Sequence, residues 1–106
     1  MTEIVYHQND NLLEVDLLKN VATAAYINNA TVTATLKDAS GNNVVGETWP
    51  LTMSYVAASN GKYRATLKDT LTLIPGRGYV AEITADGGAD LRAFWELPVK
   101  VERRVT

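Results

Sequence analysis

The 106-residue sequence contains no cysteine and a single histidine, His7. Without cysteine the chain has no disulfide, no thiolate metal site and no cysteine nucleophile. A lone histidine beside a polar turn supplies neither a His-rich metal site nor a catalytic triad, and no Gly-x-Ser-x-Gly elbow occurs. We therefore predict that the protein is not an enzyme and that it has no catalytic residue, cofactor or metal site.

Excess basic charge and long apolar runs are also missing. The net charge is −2 and the isoelectric point is about 5.3, so no positive field is present to hold a nucleic-acid backbone. No apolar run approaches the ~20 residues of a membrane-spanning helix. Residues 1–4 lack the basic and apolar regions of a signal peptide. These features predict cytoplasmic synthesis, with neither nucleic acid nor membrane as a partner.

Short segments of alternating apolar and polar residues fill most of the sequence. Their period of two is typical of half-buried strands, and the turn residues between them favour a sandwich or barrel in one domain, 1–106. For segment 12–19 a helix is the alternative to a strand. The segments predicted as strands are 2–6, 12–19, 30–37, 44–49, two within 50–67, 79–85 and 91–103. The positions predicted to face inward outside the 50–67 region are Leu13, Val15, Leu17, Val32, Ala34, Leu36, Tyr79, Ala81, Ile83, Ala85, Leu91, Ala93, Trp95, Leu97, Val99 and Val101.

The segment 50–67 indicates a hairpin with its turn at Asn60-Gly61. A two-residue turn pairs Ser59 with Lys62, whereas a three-residue loop, 59–61, pairs Ala58 with Lys62. We predict the second register, with Gly61 in the left-handed conformation, because it collects the apolar residues on one face. Those residues are Met53, Tyr55, Tyr63, Ala65 and Leu67.

The run Leu73-Ile74-Pro75-Gly76-Arg77-Gly78-Tyr79 resembles the Leu-x-Pro-Gly-x-x-Tyr corner of fibronectin type III and related immunoglobulin-like domains. In that corner a tyrosine opens a strand, and its hydroxyl bonds to the upstream backbone. The family's early tryptophan has no match, since Trp49 and Trp95 fall too late. The resemblance implies an all-β fold, an immunoglobulin-like antiparallel β-sandwich of about seven strands. The corner residues are Pro75, Gly76 and Tyr79.

A second resemblance covers residues 30–42 and 60–65. A Thr-Val-x-x-x-Leu-x-Asp-x-x-Gly opening followed by Gly-x-Tyr is similar to small immunoglobulin-like modules of phage and prophage virion proteins. Bacterial surface domains and prealbumin-like domains share the pattern. The resemblance implies a structural or assembly module, a virion accessory protein whose partners are other protein subunits or itself in a homo-oligomer.

Trp49 and Phe94 are the candidate contact residues. Phe94 falls on the strand face shared with Arg92 and Glu96, where an aromatic ring is exposed to solvent or to a partner. Aromatic rings also stack on sugars. A carbohydrate-binding module, which needs at least two exposed coplanar rings, is therefore the alternative function.

Sheet edges are the other candidate contacts. The predicted strand 44–49 and the C-terminal strand, in which Pro98 indicates an edge or a bulge, can add to a neighbour's sheet. Residues 1–29 form an N-terminal region that we predict to be exchanged with a neighbouring subunit or loosely attached.

Two motifs indicate ligands only weakly. The acids of Asp86-Gly87-Gly88-Ala89-Asp90 could hold calcium, but their spacing is not that of an EF-hand loop. Gly76-Arg77-Gly78 could cradle a phosphate, but no lysine or helix start follows. We interpret both segments as turns.

Overall fold

A computed structural model describes residues 3–16, 18–20, 23–88 and 91–104. Within these ranges the chain forms seven β-strands and no helix, so the all-β prediction is confirmed. Of the two alternatives for segment 12–19, the strand is the one observed, over Asn11–Val15. The strands are β1 (Glu3–Tyr6), β2 (Asn11–Val15), β3 (Thr31–Lys37), β4 (Leu51–Tyr55), β5 (Tyr63–Leu67), β6 (Gly78–Asp86) and β7 (Arg92–Glu102).

The strands follow the order β1-β7-β6-β3-β4-β5-β2. β1 runs parallel to β7, and every other neighbouring pair is antiparallel. The prediction of a purely antiparallel arrangement is therefore wrong. β1 and β7 come from opposite ends of the sequence, so no hairpin turn sets their relative direction. Side-chain alternation is the same in either direction and could not reveal it.

The sheet curls into a nearly closed barrel. β4 makes the bend, because Leu51–Met53 pair with β3 while Ser54 and Tyr55 pair with β5. The two end strands, β1 and β2, meet through a side chain. Asn11 accepts a hydrogen bond from the Tyr6 N–H at 3.0 Å and donates one to the Tyr6 C=O at 2.9 Å. The amide of Asn11 thus satisfies backbone groups that a strand ladder would otherwise pair.

One face of each strand is buried in a single core, as the alternation predicts. The predicted inward positions found buried are Leu13, Val15, Val32, Ala34, Leu36, Tyr79, Ala81, Ile83, Ala85, Val99 and Val101. Leu17 lies outside the described residues. The first half of the predicted strand 91–103 departs from the prediction, because Leu91, Trp95 and Leu97 are half-buried and Ala93 is exposed.

The central hairpin has the predicted faces but neither predicted register. Five residues, 57–61, form the loop, and Gly61 has the predicted positive φ, 66°. The shift from the favoured register is two residues, which leaves the same side chains facing the core. The Tyr55 hydroxyl donates to the Ser59 C=O at 2.6 Å across the longer loop, a contact that alternation does not encode. The observed pairs are Ser54 with Arg64, Tyr55 with Tyr63, and Val56 with Lys62.

The predicted strand 44–49 does not form. Val44 donates its N–H to the Leu36 C=O at 3.0 Å, and the chain then leaves β3. Gly46 has φ 117°, and a Cβ atom there would lie 2.7 Å from the Thr70 C=O. The Thr72 N–H donates to the Val45 C=O at 2.9 Å. This segment therefore packs against residues 70–72 instead of returning along β3.

The described part of residues 1–29 forms hydrogen bonds with the rest of the same chain. The buried Tyr63 hydroxyl donates to the Ile27 C=O at 2.7 Å and accepts from the Ala30 N–H at 3.0 Å. Leu18 donates its N–H to the Gly61 C=O at 3.0 Å. With β1 on β7 and β2 on β5, this region contributes to the core. Its exchange between subunits stays a prediction.

Candidate functional site: the free edge of the last strand

β7 is the longest strand, and half of its outer edge has no strand beside it among the described residues. β6 pairs with β7 from Arg92 to Lys100. β1 covers the other side only over Val99–Glu102. Residues Arg92–Leu97, which we call the free edge, therefore have a described strand on one side only.

The direction of the backbone groups along the free edge follows from the hydrogen bonds at both ends of β7. The C=O of Leu91 accepts a hydrogen bond from the Gly87 N–H, and the C=O of Val101 accepts one from the Gly76 N–H. The backbone N–H and C=O groups of the odd-numbered residues therefore point toward β6. The C=O of Glu102 accepts from His7, on the β1 side. Since the β6–β7 register is continuous, the even-numbered residues 92, 94 and 96 direct N–H and C=O groups outward.

Pro98 occupies a position where the backbone nitrogen points outward, away from β6, and needs no hydrogen-bond partner there. It is even-numbered, lies opposite Val80 of β6, and directly precedes the segment covered by β1. Proline has no N–H, so it fits a strand only where none is needed. The pairing with β6 contains no bulge. Of the two interpretations of Pro98, the edge is the one observed.

The outer face of the free edge carries an aromatic ring between opposite charges. The Phe94 side chain is 60% exposed. Arg92 Nε lies 3.4 Å from the Asp86 carboxylate, with both side chains exposed. Glu96 lies opposite Glu82 on β6, and the Glu82 carboxylate is 3.1 Å from Lys37 Nζ. Ion pairs among the described residues do not include Glu96.

The two predicted contact residues do not come together. Phe94 lies on β7, whereas Trp49 immediately precedes the β4 region, and β6 and β3 stand between these strands. Trp49 is half-buried against the core, and its indole Nε1–H donates to the Val44 C=O at 2.7 Å. Phe94 is thus the exposed member of the pair. No role was predicted from the sequence for Arg92 and Glu96, although their alternation with Phe94 is visible there.

The Tyr79 corner adjoins a surface cleft of about 490 Å³ that is also lined by Asp38 and Arg77. The Tyr79 hydroxyl accepts a hydrogen bond from the Ile74 N–H at 2.9 Å, which is the upstream backbone bond that the corner predicts. The N–H groups of Gly76 and Arg77 donate to other backbone carbonyls. Neither is therefore directed at a phosphate.

The predicted acidic turn is only partly described, because Asp90 lies outside the described residues. The Asp86 carboxylate accepts a hydrogen bond from the Gly88 N–H at 3.0 Å. This bond, reinforced by Arg92, lowers the pKa of Asp86 below its ordinary value. Among the described residues no cluster of three or more acidic or histidine side chains is placed to hold a metal ion. Nor does this part of the chain contain a helix long and apolar enough to cross a membrane.

Comparison with known proteins gives no match. No protein-family model, curated protein sequence or solved structure is similar enough to the chain to be identified as a relative. The function must therefore be inferred from the residues and geometry of the free edge.

Proposed function

We propose that the protein is a non-catalytic assembly module that acts through protein–protein contacts, as a virion accessory protein of a phage or prophage. The observation that carries this proposal is the free edge, with its outward N–H and C=O groups beside the exposed Phe94. The protein is made in the cytoplasm and joins other subunits there. Catalysis, cofactors and metals have no part in this function.

An unpaired strand edge recognises a partner by strand addition. The partner's extended segment completes the ladder, and alternate side chains contribute specificity. Soluble proteins usually keep such edges short or covered, because they also promote aggregation. The outward N–H and C=O groups of Arg92, Phe94 and Glu96 are the groups with which an added strand would pair.

The finer fold that we propose is an immunoglobulin-like sandwich, the architecture suggested by the phage-module resemblance. The Tyr79–Ile74 bond supports it. The pairing pattern supports it too, since β2 pairs with β5 while β3, β6 and β7 are successive neighbours, as in the two sheets of that fold.

Particle association tests the function. A tagged chain expressed in its native host after prophage induction should co-sediment with nucleic-acid-containing particles. Phe94→Pro, which removes one outward N–H and the ring without touching the β6 ladder, should release it. Phe94→Ala retains the N–H and should have a weaker effect. Absence of the wild-type chain from all particle fractions would overturn the virion assignment.

Carbohydrate binding is the second candidate, favoured by the exposure of Phe94 beside Thr84, its cross-strand neighbour. Two further rings are exposed among the described residues, those of Tyr6 and Tyr26. Tyr6 lies at the far end of β7, opposite Glu102, and Tyr26 is placed with Lys19 outside the strands. A glycan array that gives Phe94-dependent binding would replace the assembly proposal with this one.

A further inference from the structure

We propose that the free edge pairs with the free edge of a second copy of this chain, antiparallel, about a twofold axis at Phe94. This inference rests on the proposed assembly function and names its first partner. Phe94 then lies opposite Phe94 of the second copy, and Arg92 lies opposite Glu96 in both directions. The sheets of the two copies become continuous through β7, and the contact is isologous.

The backbone favours this register. Residues 92, 94 and 96 all direct their N–H and C=O groups outward, as the bonds of Leu91, Val101 and Glu102 establish. In an antiparallel ladder, two such residues opposite each other exchange both hydrogen bonds. The three opposed pairs supply about six backbone hydrogen bonds. Pro98 has no N–H to offer and ends the ladder on each side.

The charges on the outer face are self-complementary. Glu96 has the like-charged Glu82 as its cross-strand neighbour, and Lys37 already pairs with Glu82. Arg92 contacts Asp86 through Nε, which leaves the guanidinium's other nitrogens as donors. The second copy places each Arg92 opposite a Glu96, which relieves the repulsion between the acids of β6 and β7.

Shifted registers lose this complementarity. A slip of two residues in one direction puts Arg92 opposite Phe94. A slip in the other direction puts Phe94 opposite Glu96 and Arg92 opposite Pro98, which offers no N–H. A slip of one residue places residues whose backbone N–H and C=O groups point outward opposite residues whose groups point toward β6, so no ladder of hydrogen bonds forms. Only the register centred on Phe94 satisfies both ion pairs and the backbone.

The inner row of the free edge fits the same register. Ala93 lies opposite Trp95 of the second copy, so a small side chain faces a large one. Leu97 lies opposite Leu91. Trp95 and Leu97 are half-buried and Ala93 is exposed at this edge. A second copy would cover the apolar surface that the edge leaves open to water.

Charged residues on a strand edge commonly prevent pairing. That protection depends on like charges meeting or on a charge directed into the partner's core. Here the charges are of opposite sign, lie on the outer face, and are equally spaced from Phe94. The same two residues therefore attract a second copy while disfavouring shifted pairings.

Sedimentation velocity from about 1 μM to about 1 mM chain tests the pairing, since a contact of this size is at the weak end of specific interfaces. Wild type should shift from monomer to dimer. Glu96→Arg places arginine opposite Arg92 of the second copy and should raise the dissociation constant about tenfold or more. Within one chain it faces Glu82, so the monomer should remain as stable as wild type. The double variant R92E/E96R should restore the dimer.

Cross-linking tests the axis. Because the chain has no native cysteine, Phe94→Cys introduces a single thiol. Hydrogen-bonded antiparallel partners have Cα atoms about 5.5 Å apart, within disulfide range. Oxidation should give a covalent dimer for Phe94→Cys and little for Val45→Cys, which is 72% exposed and distant in sequence from β7.

The outcomes separate this inference from the proposed function. A monomer at every concentration, or a dimer unaffected by Glu96→Arg, overturns self-pairing. If that monomer still sediments with particles and Phe94→Pro releases it, the assembly function stands with a foreign strand as partner. A dimer that responds as predicted but never enters particles retains self-pairing and overturns the virion role.

Discussion

At the scale of single residues, two glycines mark places where separate segments of backbone meet. A Cβ atom on Gly61 would lie 2.5 Å from both the N and the O of Leu18, and one on Gly46 would lie 2.7 Å from the Thr70 C=O. Both glycines have positive φ. The hairpin pattern predicted the conformation of Gly61, but the contact with Leu18 is long-range and has no local signal.

Comparing alanine substitutions at Gly61 and Gly76 separates the loss of stability due to backbone strain at positive φ from the loss due to a steric clash. Gly61→Ala should lower the free energy of unfolding by about 3 kcal/mol or more, because strain at positive φ adds to a clash with the Leu18 backbone. Gly76→Ala is the matched control, since its φ is 89° but no atom lies within 4 Å of the added Cβ. It should cost about 1 kcal/mol.

Urea unfolding followed by fluorescence of the two tryptophans measures both variants. Equal losses for Gly61→Ala and Gly76→Ala would show that φ alone matters and that Leu18 does not press against Gly61.

At the scale of strands, the first and last elements are defined by what lies beside them. β1 and β2 are consecutive, yet they occupy opposite ends of the strand order and meet through the Asn11 amide. β7 is covered by β6 over nine residues but by β1 over four. Segment 2–6 was predicted as a strand, alternation predicted the other two strands, and Pro98 indicated an edge or a bulge in the last one. Among the described residues, the coverage of that edge depends on where β1 begins, at the pairing of Glu3 with Val99.

The Asn11 amide should stabilise the joint between the end strands. Asn11→Ala removes its bonds to Tyr6 and to the Asn9 C=O, and should cost about 1–2 kcal/mol of unfolding free energy. Hydrogen exchange of the β1 amides should accelerate more than that of the β3 amides.

Asn42→Ala is the control for that experiment, because Asn42 is exposed and its side chain makes no hydrogen bond within the described residues. Uniform acceleration throughout the sheet would contradict a local role for Asn11.

At the scale of the whole molecule, acid stability depends on the described carboxylates whose pKa is lowered in the folded chain. The Thr48 N–H lowers the pKa of Glu47, and Lys68, 3.4 Å from its Oε2, adds to this effect. A folded-state pKa below the ordinary 4.5 stabilises the fold above pH 4.5, and this contribution disappears as pH falls through the lowered pKa. Asp86 acts in the same direction from its ordinary value of 3.8.

Glu47→Gln tests this dependence, since glutamine does not titrate. The stability difference between wild type and Glu47→Gln should be constant above pH 4.5 and shrink below it, in urea unfolding at a series of pH values. A difference that stays the same down to pH 2 would show that Glu47 titrates alike in folded and unfolded chains.

From β2 to β6 and in the second half of β7, the sequence by itself determined which side of the strand is buried, because alternation is local and survives a shift of two residues, as the central hairpin shows. The resemblance at residues 73–79 implied the upstream bond of Tyr79, and Pro98 indicated an edge or a bulge, of which the edge is observed. Tertiary structure alone decided the parallel direction of β1, the hairpin register, the loss of a strand over 44–49 and the length of the free edge. These features depend on contacts between residues far apart in the chain, which no local pattern encodes. The candidate site belongs to this second group: Phe94 was visible as an aromatic residue, but only the strand pairing shows that, within the described residues, β1 lies beside β7 from Val99 onward and not beside Phe94.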